Sequence, residues 1–230
     1  MKECWIYLSH KLEVSTPAYG NGEKLSIQRV KSIDVGDSSN NSVLIMSTHL
    51  GTHVDSPFHF DLRGRTLDKI SANEWVYNNV YLIEYHAKPC ELIGGHDWLE
   101  IFNQIPVETD LLLVKTDFEK YRNEAREKPY DSQYIFKNPG WRPEAGSWLR
   151  KNRKIRAVGF DFISLTSYEN RELGREAHRA FLGTNDDTEP ILIVEDMKLS
   201  EINKNPKQVI ILPIIFENAD GSPVTVIARA

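Results

Sequence analysis

Short apolar runs, punctuated by Gly, Pro and charged residues, dominate the chain. Runs rich in β-formers predict strands at residues 4–8, 25–33 and 42–48, the last built on Val43-Leu44-Ile45-Met46. Further strands are predicted at 79–85, 110–115 and 156–162, and at 191–194 after Pro190. The last two, 209–216 and 224–228, flank Asn218-Ala219-Asp220-Gly221, a hairpin turn signal. Helical spacing is sparser. Residues 97–104 place Trp98, Ile101 and Phe102 on one side, with Asp97 as N-cap. Pro143 opens a helix through Arg150, because proline suits a first helical turn. Residues 169–182 turn Leu173, Ala177, Ala180 and Phe181 inward, and Gly183 closes them. The charged stretch 117–140, with Tyr130, Tyr134 and Phe136, reads as an irregular insertion: a lid, an oligomer contact or, equally, a solvated loop.

Strands thus outnumber helices and mix hairpins with crossovers, which predicts a single α/β or α+β domain over residues 1–230. No Gly-rich phosphate cradle is present, so a doubly wound nucleotide-binding fold is not expected. At 230 residues the chain buries a full core without disulfide staples. A net charge of −5 argues against a nucleic-acid partner held by a basic face. No apolar run approaches the roughly 18 residues of a membrane span. The opening Met1-Lys2-Glu3-Cys4-Trp5 carries an acid and lacks the apolar stretch of a signal peptide. With Cys4 and Cys90 as the only cysteines, neither a disulfide framework nor a cysteine zinc site is expected, and a reducing cytoplasm is the default.

One segment departs from background. Three of the seven histidines, His49, His53 and His59, fall within 11 residues, where random placement puts roughly 0.3. Histidine and carboxylate ligate zinc, and manganese accepts them too. Gly51, Thr52, Val54 and Pro57 argue against a helix here. In a straight strand, positions four apart are about 13 Å distant, too far to share one ion. The chain must therefore bend between His49 and His53, and Gly51 permits the bend. His53 and Asp55, two apart, point to the same side of an extended segment. Pro57 holds the next turn and returns His59 to the same cavity. Three protein ligands leave a position for water, whose pKa a divalent cation lowers toward neutrality. His59 is the spare imidazole, and histidine's ordinary pKa of about 6.5 suits a proton shuttle. For His10, His86 and His96 a structural or exposed role is expected.

The run His49-Leu50-Gly51-Thr52-His53-Val54-Asp55-Ser56-Pro57-Phe58-His59-Phe60 resembles the signature His-x-Gly-Thr-His-x-Asp-x-Pro-x-His-Phe of the cyclase family, which includes bacterial kynurenine formamidase and isatin hydrolase. Tyr7-Leu8-Ser9-His10 resembles that family's opening stretch, with Tyr7 where an acid is common. Pro139-Gly140 and Gly159-Phe160-Asp161 with Ser164 resemble its later motifs. The resemblance implies a swivelling β/β/α domain with a mixed sheet and a β-barrel-like core. It implies a metal-dependent amide hydrolase with one or two divalent ions, zinc first and manganese second. His49, His53 and Asp55 would hold the first ion; His178 and Glu195 would complete a second that Asp55 bridges. Taken alone, His178 would be a helix-surface residue and Glu195 an exposed strand end. The acidic loop 183–189 between them is longer than the formamidase pattern. A homodimer or homotetramer is implied as well.

The function expected is hydrolysis of a small amide, an aryl formamide such as N-formylkynurenine or a cyclic amide such as isatin. His59 would protonate the departing nitrogen. Phe58, Phe60, Trp75 and Trp141 are candidate walls for an aromatic substrate, or ordinary core residues. A binding protein that keeps the ligands without turnover is the alternative of another class. A metalloprotease is disfavoured, because His-Glu-x-x-His is absent.

Overall fold

The computed structural model describes residues 4–184 and 187–229. Positions 1–3, within the opening segment read above, and 185–186, within the acidic loop, lie outside the described residues. In chain order the strands are β1 (Trp5–Tyr7), β2 (Ser26–Lys31), β3 (Asn41–Ile45), β4 (His53–Asp55), β5 (Val76–Tyr77), β6 (Val80–Glu84) and β7 (Leu92–Ile93). They continue with β8 (Leu111–Lys115), β9 (Gly140–Trp141), β10 (Ala157–Phe160), β11 (Leu192–Glu195), β12 (Gln208–Pro213) and β13 (Gly221–Arg229). The helices are α1 (Leu99–Gln104), α2 (Arg122–Glu127), α3 (Gln133–Phe136), α4 (Pro143–Asn152) and α5 (Arg171–Leu182).

Nine strands form one mixed sheet in the order β5-β12-β13-β4-β11-β10-β8-β6, with β1 also on β13. β6, β8, β10 and β11 run parallel, whereas β4 pairs antiparallel with both β11 and β13. The two ends of this path, β5 and β6, are joined through Asn78 and Asn79, whose amides donate to the Asp110 carboxylate. The sheet thereby curls into a nearly closed barrel. This is the α/β class expected from the residue pattern, with the barrel-like core that the family resemblance implies.

Alternation along β8 shows how the sheet divides two cores. Leu111 and Leu113 face the barrel interior with Val54, Val194, Val226 and Tyr77. Leu112 and Val114 face the opposite side, where Trp98, Phe102, Trp141 and Phe181 lie beneath the helices. A strand buried on both faces reads as a continuous apolar run, and parallel strands covered on both sides have that character. Trp75 belongs to the interior cluster and Trp141 to the helix-side cluster, so both candidate substrate walls are core residues.

Several expectations shift. The strands predicted at 25–33 and 42–48 pair only with each other, as an exposed hairpin apart from the main sheet. β4 is unpredicted: three residues are too few for periodicity, and it exists because neighbours bond it on both edges. β12 stops at Pro213, short of residue 216, while β13 begins at Gly221 because Gly221 to Pro223 pair with β4. Asp97 lies within a 3-10 turn over His96–Trp98 and does not cap α1. Residues 117–140 are no solvated loop. Phe118, Tyr134 and Ile135 are buried there, and the Arg122 guanidinium grips Asp196 at 2.7 and 2.8 Å.

Candidate metal centre

Strand register builds the centre. His53 and Asp55 share one face of β4, and across the antiparallel pair His53 stands opposite Glu195 of β11. Val54 and Val194 point the other way, into the barrel. On β4's other edge, Gly221 stands opposite Asp55. The bend expected between His49 and His53 is present: Gly51 has φ +67°, a conformation that costs glycine little. His49 is thereby turned so that its Nδ1 lies 2.8 Å from Asp55 Oδ1. Gly221 matters for proximity, since a Cβ there would come within 2.4 Å of His49 Cε1.

Asp55 sits at the middle. Its Oδ1 faces His49 and, at 3.5 Å, His53 Nε2, while its Oδ2 faces His178 Nε2 at 3.7 Å. Glu195 Oε2 is 3.3 Å from His53 Nε2, and its Oε1 is 3.6 Å from His178 Nε2. Backbone contacts set the tautomers. Nδ1 of His53 donates to the Gly51 carbonyl at 2.8 Å, and Nδ1 of His178 donates to the Gly174 carbonyl at 2.9 Å. Each bond leaves Nε2 to face the carboxylates, as ligand histidines require. Glu195 in turn accepts from the Leu165 amide at 2.6 Å.

His178 and Glu195 are buried, not on a helix surface or an exposed strand end. Their backbone positions come from α5 and β11, and the chain itself gives no local sign of their convergence. The five residues His49, His53, Asp55, His178 and Glu195 thus meet in one place. His59 follows Pro57 in a 3-10 turn and joins them: its ring stacks on His49 with centroids 4.0 Å apart. Possible ligand atoms fall into two groups, His49 with Asp55 and His59, and His53 with Asp55 and Glu195.

Sequence reasoning missed Asp220. Its Oδ2 lies 2.8 Å from His49 Nε2 and 3.3 Å from His59 Nδ1, and Thr48 Oγ1 donates to its Oδ1. Asp-Gly before a strand is fully accounted for as turn chemistry, so nothing in the sequence separated it from an ordinary turn. Of the four candidate aromatic walls, Phe60 lines the cleft above these residues, and Phe58, Trp75 and Trp141 do not. Tyr19, Ile163, Arg171 and Arg175, none of them picked from sequence, line it too. The cleft holds about 290 Å³, space for a small molecule. Outside it, His86 is exposed beside Asp117, and His10 lies near Glu119.

Electrostatics test the donor set. Burial opposes charge on His49, but Asp55 and then Asp220 outweigh it and raise its pKa to about 10. Burial likewise opposes charge on His53 and His178, yet both are raised, by Glu195 and Asp55. Burial would raise Asp55, and the imidazoles, His49 foremost, hold it below the usual carboxylate range. The buried acids thus favour protons on the imidazoles around them, His49 foremost. A divalent cation can replace those protons, which is the chemistry of a metal site. The residues fit such an ion.

A cleft over imidazoles and carboxylates, set on a nearly closed mixed sheet, defines a metal-binding protein with a site for a small ligand. The chain belongs to the cyclase family: residues 6–166 match the family model described as "Putative cyclase". It is 29% identical to a kynurenine formamidase of Bacillus cereus over 98% of this chain and 97% of that protein. It is 28% identical to cyclase-like protein 2 of Arabidopsis thaliana over 94% of this chain and 76% of that one. Its fold matches isatin hydrolase A from Labrenzia aggregata with a TM-score of 0.81 at 22% identity, covering 99% and 94% of the two chains. Among the described residues no helix is long and apolar enough to cross a membrane.

Proposed function

We propose that the chain is a metal-dependent hydrolase of non-peptide carbon–nitrogen bonds, acting on an aryl formamide such as N-formylkynurenine or on a related small amide. The observation that carries this reading is Asp55, one oxygen of which faces His49 and His53 and the other His178, within a cleft that His59 borders. The formamidase relatives support the formamide, and the isatin hydrolase neighbours keep a cyclic amide as the second substrate class. His49, His53 and Asp55 would hold a first cation, with His178 and Glu195 completing a second site across Asp55. Zinc suits this imidazole–carboxylate set and manganese is the alternative. When bound, the cation supplies Lewis-acid polarisation and an acidified water.

The remaining work falls to the chain. Phe60 stacks on His178 with centroids 4.5 Å apart and presents an apolar wall to the substrate. Asp220 holds Nδ1 of His59, leaving Nε2 to pass a proton to the departing nitrogen. A cytoplasmic enzyme of two or four copies belongs to the same proposal. Free Cys4 and Cys90 suit a reducing compartment. The β2–β3 hairpin exposes Ile27, Val30, Val43, Leu44 and Ile45, an apolar surface that self-association would cover.

The test is a panel of formanilides, isatin and other cyclic amides assayed with added Zn²⁺ and Mn²⁺. Turnover that a chelator abolishes supports the hydrolase. Metal-dependent binding without turnover would make the chain a binding protein instead.

A further inference from the structure

Two chemically distinct sets of groups line the cleft. One is the imidazoles and carboxylates described above. The other is Tyr19, Arg171 and Arg175, and no step of the proposed hydrolysis uses them. The Arg171 guanidinium lies over the Tyr168 ring, 4.7 Å from its centroid, and has no carboxylate partner among the described residues. Arg175 pairs at 2.5 Å with Glu172, a side chain 89% exposed, and such a pair contributes little in water. The Tyr19 hydroxyl is buried and has no hydrogen-bond partner among the described residues. Burial, then Glu195, push its pKa up, so it is a standing donor; Arg171 and Arg175 act on it in the opposite sense. It therefore lies within the fields of both sets of groups.

Helix geometry orders these groups. Arg171, Arg175 and His178 occupy positions i, i+4 and i+7 of one helix, which share a face. With a rise of about 1.5 Å per residue, the two arginines sit roughly 4.5 and 10.5 Å beyond His178 along the axis. A ligand whose carbonyl lies at the metal centre extends along this face toward the two guanidinium groups. An uncommitted guanidinium, a second held only by an exposed acid, and an unpartnered buried hydroxyl all ask for the same thing: an anion that accepts hydrogen bonds, and a carboxylate meets guanidinium geometry best.

We propose that Tyr19, Arg171 and Arg175 form an anion subsite that selects amide substrates bearing a carboxylate at the end remote from the scissile bond. This rests on the hydrolase reading and sharpens it: an N-acylated aromatic amine with an acidic substituent is preferred over a neutral cyclic amide. Arg171, the group without a competing acid, is the main specificity determinant.

Two experiments separate this inference from the reading beneath it. In the first, the metal-loaded enzyme is assayed on 4-formamidobenzoate, whose carboxylate is at the far end of the ring from the formamide, and on neutral formanilide. Wild type is expected to favour the anionic substrate at least tenfold in kcat/KM. In Arg171→Gln/Arg175→Gln that ratio is expected to fall at least tenfold, mostly through KM, with Arg171→Lys recovering part of it. An equal ratio in wild type and the double variant overturns the subsite. In the second, benzoate and benzamide are titrated calorimetrically into metal-free protein. Benzoate is expected to bind more tightly to wild type than to the double variant, with benzamide showing no such difference. If neither formamide nor isatin is turned over, the hydrolase reading fails, and the benzoate titration still decides the subsite: equal benzoate affinity in the two proteins overturns it.

Discussion

Nδ1 of His59 lies 3.3 Å from Oδ2 of Asp220, a carboxylate that arrives 161 residues later in the chain. The contact fixes which ring nitrogen of His59 is left to work, and the same oxygen also meets His49. Asp220→Ala is expected to lower kcat about 10- to 100-fold, the range for partners that orient an active-site imidazole. Asp220→Asn should retain more, because an amide oxygen still accepts from the ring. Steady-state kinetics of both variants decide this, and equal losses would reduce Asp220 to a charge.

Shuttle and ligand separate by metal content. His59→Ala is expected to keep its metal and lose about 10²- to 10⁴-fold in turnover, the usual weight of a general acid. Asp55→Ala should lose the metal, because its two oxygens connect every imidazole of the centre. Elemental analysis beside the assay tells them apart; metal loss in His59→Ala would make His59 a ligand, in line with its grouping with His49 and Asp55.

Metal uptake should release protons. His49, raised to about 10, carries a proton at pH 7 that a cation must displace, so about one proton per ion is expected from it alone. Affinity should therefore climb with pH and level off past about 10. The same proton stabilises the metal-free fold. A pKa raised above the unfolded value of about 6.5 gives stability fully present below that pH and lost as pH rises through 10. Calorimetry in buffers of different ionisation enthalpy counts the protons.

The close approach of Gly221 to His49 gives a substitution that removes no polar group from the centre. In Gly221→Ala the added Cβ would meet His49 Cε1 at 2.4 Å, so the ring must move. Affinity for Zn²⁺ should fall at least tenfold, about 1.4 kcal/mol, with the circular dichroism of the fold retained. Competition with a chromophoric chelator measures it.

Asp161 makes stability fall as the solution becomes less acidic. Burial raises its pKa to about 7, while Thr116 bonds one oxygen and the other has no partner among the described residues. A carboxyl raised above its unfolded value of about 3.8 favours the protonated fold, so its stability is present below that pH and lost through pH 7. Asp161→Asn cannot ionise. Its melting temperature relative to wild type should rise between pH 5 and pH 8, by roughly 4–8 °C if about 2 kcal/mol is involved.

Local chemistry made much of this protein legible from its residues. Alternation and apolar runs marked β8, β10 and β11, and Pro143 marked the start of α4, because burial and backbone constraint act within a few residues. The bend at Gly51 and the shared side of His53 and Asp55 followed from strand geometry and a glycine that tolerates positive φ. His178 and Glu195 were reachable only through resemblance to a family, since a buried histidine on a helix has the same local sequence as an exposed one. Only the tertiary structure decided the rest. The pairing of β4 between β11 and β13 sets Glu195 opposite His53 and Gly221 opposite Asp55. It also brings Asp220 to the imidazoles and sends Trp75 and Trp141 into the two cores. Those placements depend on which strands become neighbours, a choice governed by long-range burial that no short stretch of chain encodes.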